Sequence, residues 1–130
     1  MPSLFIVDDN PSIRRLIRSV LEHEGYEICG EAENGVQAID SAKKLKPDLI
    51  LLDVCLPRLG GPQVASVLKR ALPKTRVILF TLFDEAISNT LAAAVGADLV
   101  LSKTEGTKKL LESVQSVLKR NASGQSELGA

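Results

Sequence analysis

The sequence predicts an α/β fold in which a parallel sheet carries helices on both faces. Short apolar runs, mostly without a polar alternate, recur along the 130 residues, and helical periodicity fills the spaces between them. A βα unit repeated in this way predicts parallel strands with helices packed on each side. The length fits one domain, and 45% hydrophobic residues are enough for one core.

The predicted strands are apolar runs that suit burial on both faces of a sheet. They cover residues 3–7, 27–31, 49–52, 76–81 and 98–102. Apolar residues at helical spacing predict a helix after each strand. The clearest stripe covers 13–21, with Asn10 as the N-cap, Pro11 in the first turn and Gly25 behind it. The other stripes cover 38–45, 64–72, 87–95 and 110–118.

Composition argues against several kinds of partner and site. The 16 basic and 16 acidic residues cancel, so net charge does not favour a nucleic acid or an acidic membrane as partner. No apolar run is long enough to span a bilayer, which predicts a cytoplasmic protein. Cys29 and Cys55 have no C-x-x-C spacing, and a single His23 gives no zinc site, so both thiols are predicted to be buried.

Charged residues follow three of the predicted strands. Asp8 and Asp9 follow the first, Asp53 the third and Lys103 the fifth. The carboxyl ends of parallel strands meet at one edge of a sheet, where open α/β sheets place their chemistry. Three neighbouring carboxylates repel one another unless a cation lies among them or one is protonated. The pattern therefore predicts a magnesium site, with Asp9 and Asp53 as direct ligands.

Asp53 is the candidate for covalent chemistry. A carboxylate beside magnesium and a lysine can attack a phosphoryl group and become an aspartyl phosphate. Lys103 would neutralise the incoming charge, and the Thr81 hydroxyl at the end of the fourth strand can donate to a phosphoryl oxygen. Each residue alone is common as a cap or turn residue, but the combination favours a functional site.

Over residues 3–120, the chain resembles the receiver domain of two-component response regulators. The matching motifs, in order, are Asp8-Asp9, the segment 53–57 with Gly61 behind it, Thr81 and Lys103. The resemblance implies a flavodoxin-like (βα)5 three-layer sandwich with strand order 2-1-3-4-5. It also implies a receiver domain over 1–120, and the small polar residues 121–130 are expected to form a flexible C-terminal tail or the start of a linker.

For the site, the resemblance implies magnesium (Mg²⁺) held by Asp9, Asp53 and the main-chain carbonyl of Cys55, with Asp8 acting through water. Asp53 would be the phospho-acceptor, and Thr81 and Lys103 would bind the phosphoryl group. The donor would be a sensor histidine kinase or a phosphotransfer protein. Such a domain is not a turnover enzyme, since it catalyses only its own phosphorylation and dephosphorylation.

The resemblance also bears on partners. It allows a homodimer through the fourth helix, fifth strand and fifth helix, and it implies an output domain that is missing from this chain or separate from it. We expect no direct nucleic-acid contact from this domain and no membrane contact. Segments 80–84 and 102–104 are similar to receivers of LuxR-type regulators.

Three positions depart from the family pattern. Val100 lies where members usually carry a switching Tyr or Phe. Thr104 replaces the proline that commonly follows the lysine, which puts the family's cis peptide bond in doubt here. Leu82 stands where many receivers have a small residue, and its bulk would narrow access to Asp53.

Three other functions remain open. The first is a receiver-like interaction module that works without phosphorylation, which the departures at Val100 and Leu82 favour. The second is a small magnesium-dependent phosphatase with Asp53 as nucleophile, although Cys55 stands where the second acid would be needed. The third is a nucleotide or flavin carrier, which the acidic loop after the first strand disfavours.

Overall fold

In the computed structural model, residues 2–56, 59–81, 90 and 92–129 are described, with side chains up to residue 120. The strands are β1 (Ser3–Val7), β2 (Glu27–Ala32), β3 (Leu49–Asp53), β4 (Arg76–Thr81) and β5 (Leu99–Ser102). The helices are α1 (Pro11–His23), α2 (Gly35–Leu45), α3 (Gly61–Ala71), a short helical segment at 92–95 (α4) and α5 (Gly106–Gly129). A 3-10 turn, Lys103–Glu105, joins β5 to α5.

The strands form a parallel sheet in the order β2-β1-β3-β4-β5. This order confirms the predicted flavodoxin-like topology. The chain passes from β1 to the edge strand β2 and then crosses to β3 on the other side of β1, so the strand order reverses beside β1. The carboxyl ends of β1 and β3 are therefore neighbours, and this edge is where the predicted site lies.

Two apolar clusters cover the two faces of the sheet, as expected for strands whose successive side chains point in opposite directions. On one face, Phe5, Ile50 and Leu79 pack with buried residues of α2 and α3. On the other, Ile6, Leu51 and Ile78 pack with buried residues of α1 and α5. The predicted three-layer arrangement is confirmed.

Local signals at the ends of α1 agree with the prediction. The Asn10 side chain accepts hydrogen bonds from the backbone of Ser12 and Ile13, which caps the first turn. Gly25 follows the helix with φ of +94°, a conformation that favours glycine. α2 begins at Gly35, earlier than its apolar stripe predicts, because Asn34 caps it by accepting from Gln37 N.

Three strand ends differ from the prediction by one residue. β2 continues to Ala32 because that residue pairs with Val7, and β3 includes Asp53, which pairs with Phe80. β5 begins at Leu99, because the Asp98 side chain turns to accept hydrogen bonds from Val77 N and Arg76 Nη1. Strand pairing decides the ends of β2 and β3, and the Asp98 side chain decides the start of β5, so apolar patterning does not report these bounds.

The C-terminal end of α5 differs from what composition predicts. The backbone of α5 stays helical through Gly129, where composition predicts a loose tail. Once a helix is formed, each added residue gains one hydrogen bond, so helix can continue past the packed part. The assignment of 121–130 as a tail or linker beyond the domain stays a prediction.

Most of the helix predicted over 87–95 lies outside the described residues, as do Leu82 and Pro57.

Among the described residues, no helix combines the length and the apolar composition needed to cross a bilayer.

Candidate functional site

Two carboxylates are buried at the carboxyl edge of the sheet. Asp8 directly follows β1, and Asp53 is the last residue of β3. They are 1% and 4% exposed, respectively. Because β1 and β3 are hydrogen-bonded neighbours in the sheet, these two residues come together as predicted. Burying two like charges is costly, so the site needs a compensating cation.

Lys103 supplies one compensating charge. Its Nζ lies 2.9 Å from Asp8 Oδ2 and 3.1 Å from Asp53 Oδ1. The side chain is largely buried, at 16% exposed. The 3-10 turn after β5 starts at Lys103 and is capped by Ser102, whose Oγ accepts from Thr104 N at 3.2 Å. No cis peptide bond occurs among the described residues, so the Lys103–Thr104 bond is trans.

Asp9 completes an acidic group at the same edge. Carboxylate oxygens of Asp8, Asp9 and Asp53 all lie within 4.8 Å of one another, with Asp9 exposed and the other two buried. Mg²⁺ prefers oxygen ligands from one or two carboxylates and keeps several waters. The cluster fits this ion, because its donors are all oxygens and one of them faces solvent. The three predicted carboxylates are therefore brought together.

The remaining predicted residues lie beside this cluster. Thr81 is buried at the end of β4, one position past Phe80, the register partner of Asp53. The Cys55 backbone N–H donates to Asp53 Oδ1 at 3.2 Å. Its thiol is exposed, so the prediction that it is buried is wrong. Cys55 lies past the strand on the loop, where side chains no longer alternate into the core. Cys29 is half-buried.

Comparison with known families gives the identity of this arrangement. Residues 4–115 match the response regulator receiver domain family. The chain belongs to that family.

Relatives of this receiver domain include transcriptional regulatory proteins and chemotaxis proteins. It is 39% identical over 127 residues to the phosphate regulon transcriptional regulatory protein PhoB of Pseudomonas aeruginosa, covering 96% of this chain and 55% of PhoB. It is 31% identical over 115 residues to the chemotaxis protein CheY of Halobacterium salinarum, covering 88% of this chain and 95% of CheY. The chain thus spans about half the length of several curated relatives.

A solved two-component response regulator of the LuxR family from Aurantimonas sp. SI85-9A1 shares the fold. The superposition has a TM-score of 0.87 at 23% identity and covers 92% of this chain and 86% of that one. At this identity, the likeness bears on the fold alone.

Electrostatics in the receiver site follow from burial and proximity. Burial, together with the charge of Asp8, raises the pKa of Asp53 above its ordinary value, although Lys103 opposes the shift. Burial alone would lower the pKa of Lys103. Its contacts with Asp8 and Asp53 outweigh burial and raise that pKa, so the amine stays charged. The site therefore holds a charged lysine against carboxylates that carry excess negative charge.

Two residues in contact with the receiver site were not predicted from the sequence. The Arg14 guanidinium donates to the backbone carbonyl of Asp8, with Nη1 to O at 2.6 Å. The Phe80 ring lies under Lys103, with Nζ 5.7 Å from the ring centroid. One sequence signal was available for Arg14: a cation in the first turn of a helix opposes the helix dipole, so it calls for a specific partner.

Proposed function

We propose that this receiver domain is a phosphorylation-controlled switch in which Asp53 accepts a phosphoryl group from phosphohistidine on a sensor histidine kinase or phosphotransfer protein. The observation that supports this most is the placement of Lys103 against both Asp8 and Asp53, next to the exposed Asp9. Phosphoryl transfer needs positioning and charge stabilisation more than covalent machinery, and this cluster offers both. Receiver domains are signalling proteins, not turnover enzymes.

In the proposed reaction, a carboxylate oxygen of Asp53 forms a bond to phosphorus as the P–N bond of phosphohistidine breaks. The electron pair of that bond leaves with the imidazole. Among the described residues, the Asp53 carboxylate contacts Lys103 Nζ and Cys55 N, and both contacts use Oδ1. We therefore assign the attack on phosphorus to Oδ2. Lys103 stays beside the transferred group as its counter-charge, and the Thr81 hydroxyl donates to a phosphoryl oxygen.

Magnesium would be held by Asp9, Asp53 and the Cys55 main-chain carbonyl, with Asp8 acting through water. When bound, it supplies positive charge for the oxygens of the transferred group. The exposure of Asp9 supports entry of the ion from solvent. Asp8 Oδ2 is buried and pairs with Lys103, but no described donor gives it a well-directed hydrogen bond.

The readout would be a partner-binding face formed by α4, β5 and α5. Capture of the phosphoryl group by Lys103 and Thr81 would bias β5 and its neighbours between two arrangements. Val100, half-buried against the α2–α3 face cluster, takes the place of an aromatic switch in this readout. The proposal also includes a homodimer on this face and a cytoplasmic location. The output domain would lie either in a longer chain or in a separate protein.

The experiment uses phosphoramidate, whose P–N bond resembles that of phosphohistidine. The chain is incubated with it and MgCl2, and bound phosphoryl and free phosphate are measured together. A switch takes up at most one phosphoryl group per chain and releases phosphate slowly at the rate of its own hydrolysis. Continued rapid phosphate release without a stable adduct would favour the magnesium-dependent phosphatase. No uptake from phosphoramidate, with magnesium bound, would favour the interaction module without phosphorylation.

A further inference from the structure

Arg14 lies in the first turn of α1 and reaches back to the loop that carries the acidic pair. Side chains on a helix tilt toward its N-terminus, so a residue at this position can cover the preceding turn. The Arg14 Nη1 donates to the Asp8 carbonyl at 2.6 Å, a short charge-assisted hydrogen bond. The proposed phosphoryl transfer assigns no role to this contact.

A second contact fixes the guanidinium in place. Arg14 Nε lies 3.2 Å from Glu31 Oε1, and the other carboxylate oxygen of Glu31 lies 2.6 Å from Arg18 Nη1. The side chains of Arg14 and Glu31 are 17% and 26% exposed. A cation at a helix N-terminus opposes the helix dipole, and these partners compensate for that unfavourable interaction. Glu31 belongs to β2, and the network therefore ties the sheet and α1 to the acidic loop.

The loop itself is held at successive backbone groups. Asp8 N donates to Ala32 O at 3.1 Å, and Asn10 N donates to Asp8 Oδ1 at 2.9 Å. Arg14 holds the Asp8 carbonyl, which belongs to the peptide unit that leads into Asp9. Because peptide units are planar, fixing that carbonyl also fixes the direction in which the chain enters Asp9. Asp9 is exposed, so its position depends strongly on the backbone before it.

We propose that Arg14 is a positioning residue for magnesium, which holds the Asp8–Asp9 peptide so that the Asp9 carboxylate faces the same ion as Asp53. This inference rests on the proposed magnesium site. Residues that orient a metal ligand without touching the metal commonly affect affinity by about 10- to 100-fold. Arg14 acts on the backbone of the loop, so we expect a smaller effect, roughly three- to tenfold.

Positioning and charge predict opposite results when Arg14 is removed. If the guanidinium contributed only its positive charge, Arg14→Gln would strengthen the binding of a cation. If it positions the loop, Arg14→Gln weakens binding despite the lost repulsion. Arg14→Lys keeps the charge but cannot use a planar guanidinium to bridge Glu31 and the Asp8 carbonyl. Arg15→Gln is the matched control, because Arg15 is the exposed neighbour on the same helix and carries the same charge.

The test is titration of the ¹⁵N-labelled chain and its variants with MgCl2, followed by amide NMR shifts, which also report that each variant is folded. We expect Arg14→Gln to raise the magnesium Kd roughly three- to tenfold relative to Arg15→Gln. Binding as tight as in Arg15→Gln, or tighter, would overturn the proposal. If Arg14→Gln does not fold, Arg14→Lys decides: a Kd raised about threefold supports positioning, and an unchanged Kd overturns it. Absence of magnesium binding in the native chain would instead refute the proposed magnesium site.

Discussion

Lys103 Nζ lies 3.1 Å from Asp53 Oδ1, although β4 separates their strands in the sheet. The lysine therefore reaches across the end of β4, and the same amine also contacts Asp8 at 2.9 Å. A single charge holds together the ends of β1, β3 and β5. Stability and chemistry are coupled at this point, because any change in the charge of the cluster alters both.

Replacement of Lys103 by alanine should destabilise the magnesium-free protein. Asp8 and Asp53 would lose their buried counter-charge, which we expect to lower the free energy of unfolding by about 2–3 kcal/mol at pH 7. The loss should shrink as the pH is lowered toward the raised pKa of Asp53, since protonation of Asp53 relieves the excess negative charge. Urea unfolding at pH 7 and at lower pH measures it. Magnesium binding should persist, while conformational change on phosphorylation is lost.

The matched control for this substitution is Lys108→Ala, which removes an exposed lysine from α5. It should change stability by less than about 0.5 kcal/mol. A Lys103→Ala variant as stable as Lys108→Ala would show that the buried carboxylates do not depend on the lysine.

Asp53→Asn should stabilise the protein in the absence of magnesium. The pKa of Asp53 is raised in the folded protein, so folding favours its protonated form. The free energy of unfolding therefore decreases as pH rises through that pKa and Asp53 becomes charged. A neutral amide removes this cost, and we expect Tm at pH 7 to rise by a few degrees, roughly 2–5 °C. The gain should fall as pH is lowered, and saturating magnesium should abolish it. Thermal melts of Asp40→Asn, at an exposed carboxylate on α2, serve as the reference.

Gly61→Ala should disturb the backbone of Asp53. A Cβ at this position would overlap the Asp53 carbonyl oxygen and lie 2.7 Å from Val54 Cα. We expect a loss of about 1–3 kcal/mol from this overpacking, together with slower phosphorylation because the Asp53 backbone must move. At the adjacent Gly60, the nearest atoms would be 3.8 Å from an added Cβ, so Gly60→Ala tests the same loop without the clash. Similar stabilities for the two variants would contradict this account.

Sequence patterning predicts the sheet and the central residues of the site because both depend on features that local sequence carries. The bounds of β1 and β4 agree with the apolar runs, since strands buried on both faces have no polar interruptions. Asp8, Asp53 and Lys103 meet because each lies at the carboxyl end of a strand of one parallel sheet. Topology alone brings these three together.

The apolar pattern of the sequence could not predict contacts that depend on the direction of a side chain. The exposure of Cys55 depends on how the chain turns after β3, and apolar spacing does not record that turn. The Arg14–Asp8 hydrogen bond depends on the packing of α1 against β2, with Glu31 as an intermediary. Likewise, Asp98 accepts from Val77 N at 2.8 Å and so delays the start of β5. Each of these is decided by tertiary structure.

The most direct test of the central claim is the intact mass of the chain after incubation with acetyl phosphate, with and without magnesium. The native chain and Asp40→Asn should each gain one phosphoryl group only when magnesium is present, and Asp53→Asn should gain none. An adduct of equal yield on Asp53→Asn would contradict the assignment of Asp53 as phospho-acceptor. An adduct on the native chain of equal yield without magnesium would contradict the metal dependence.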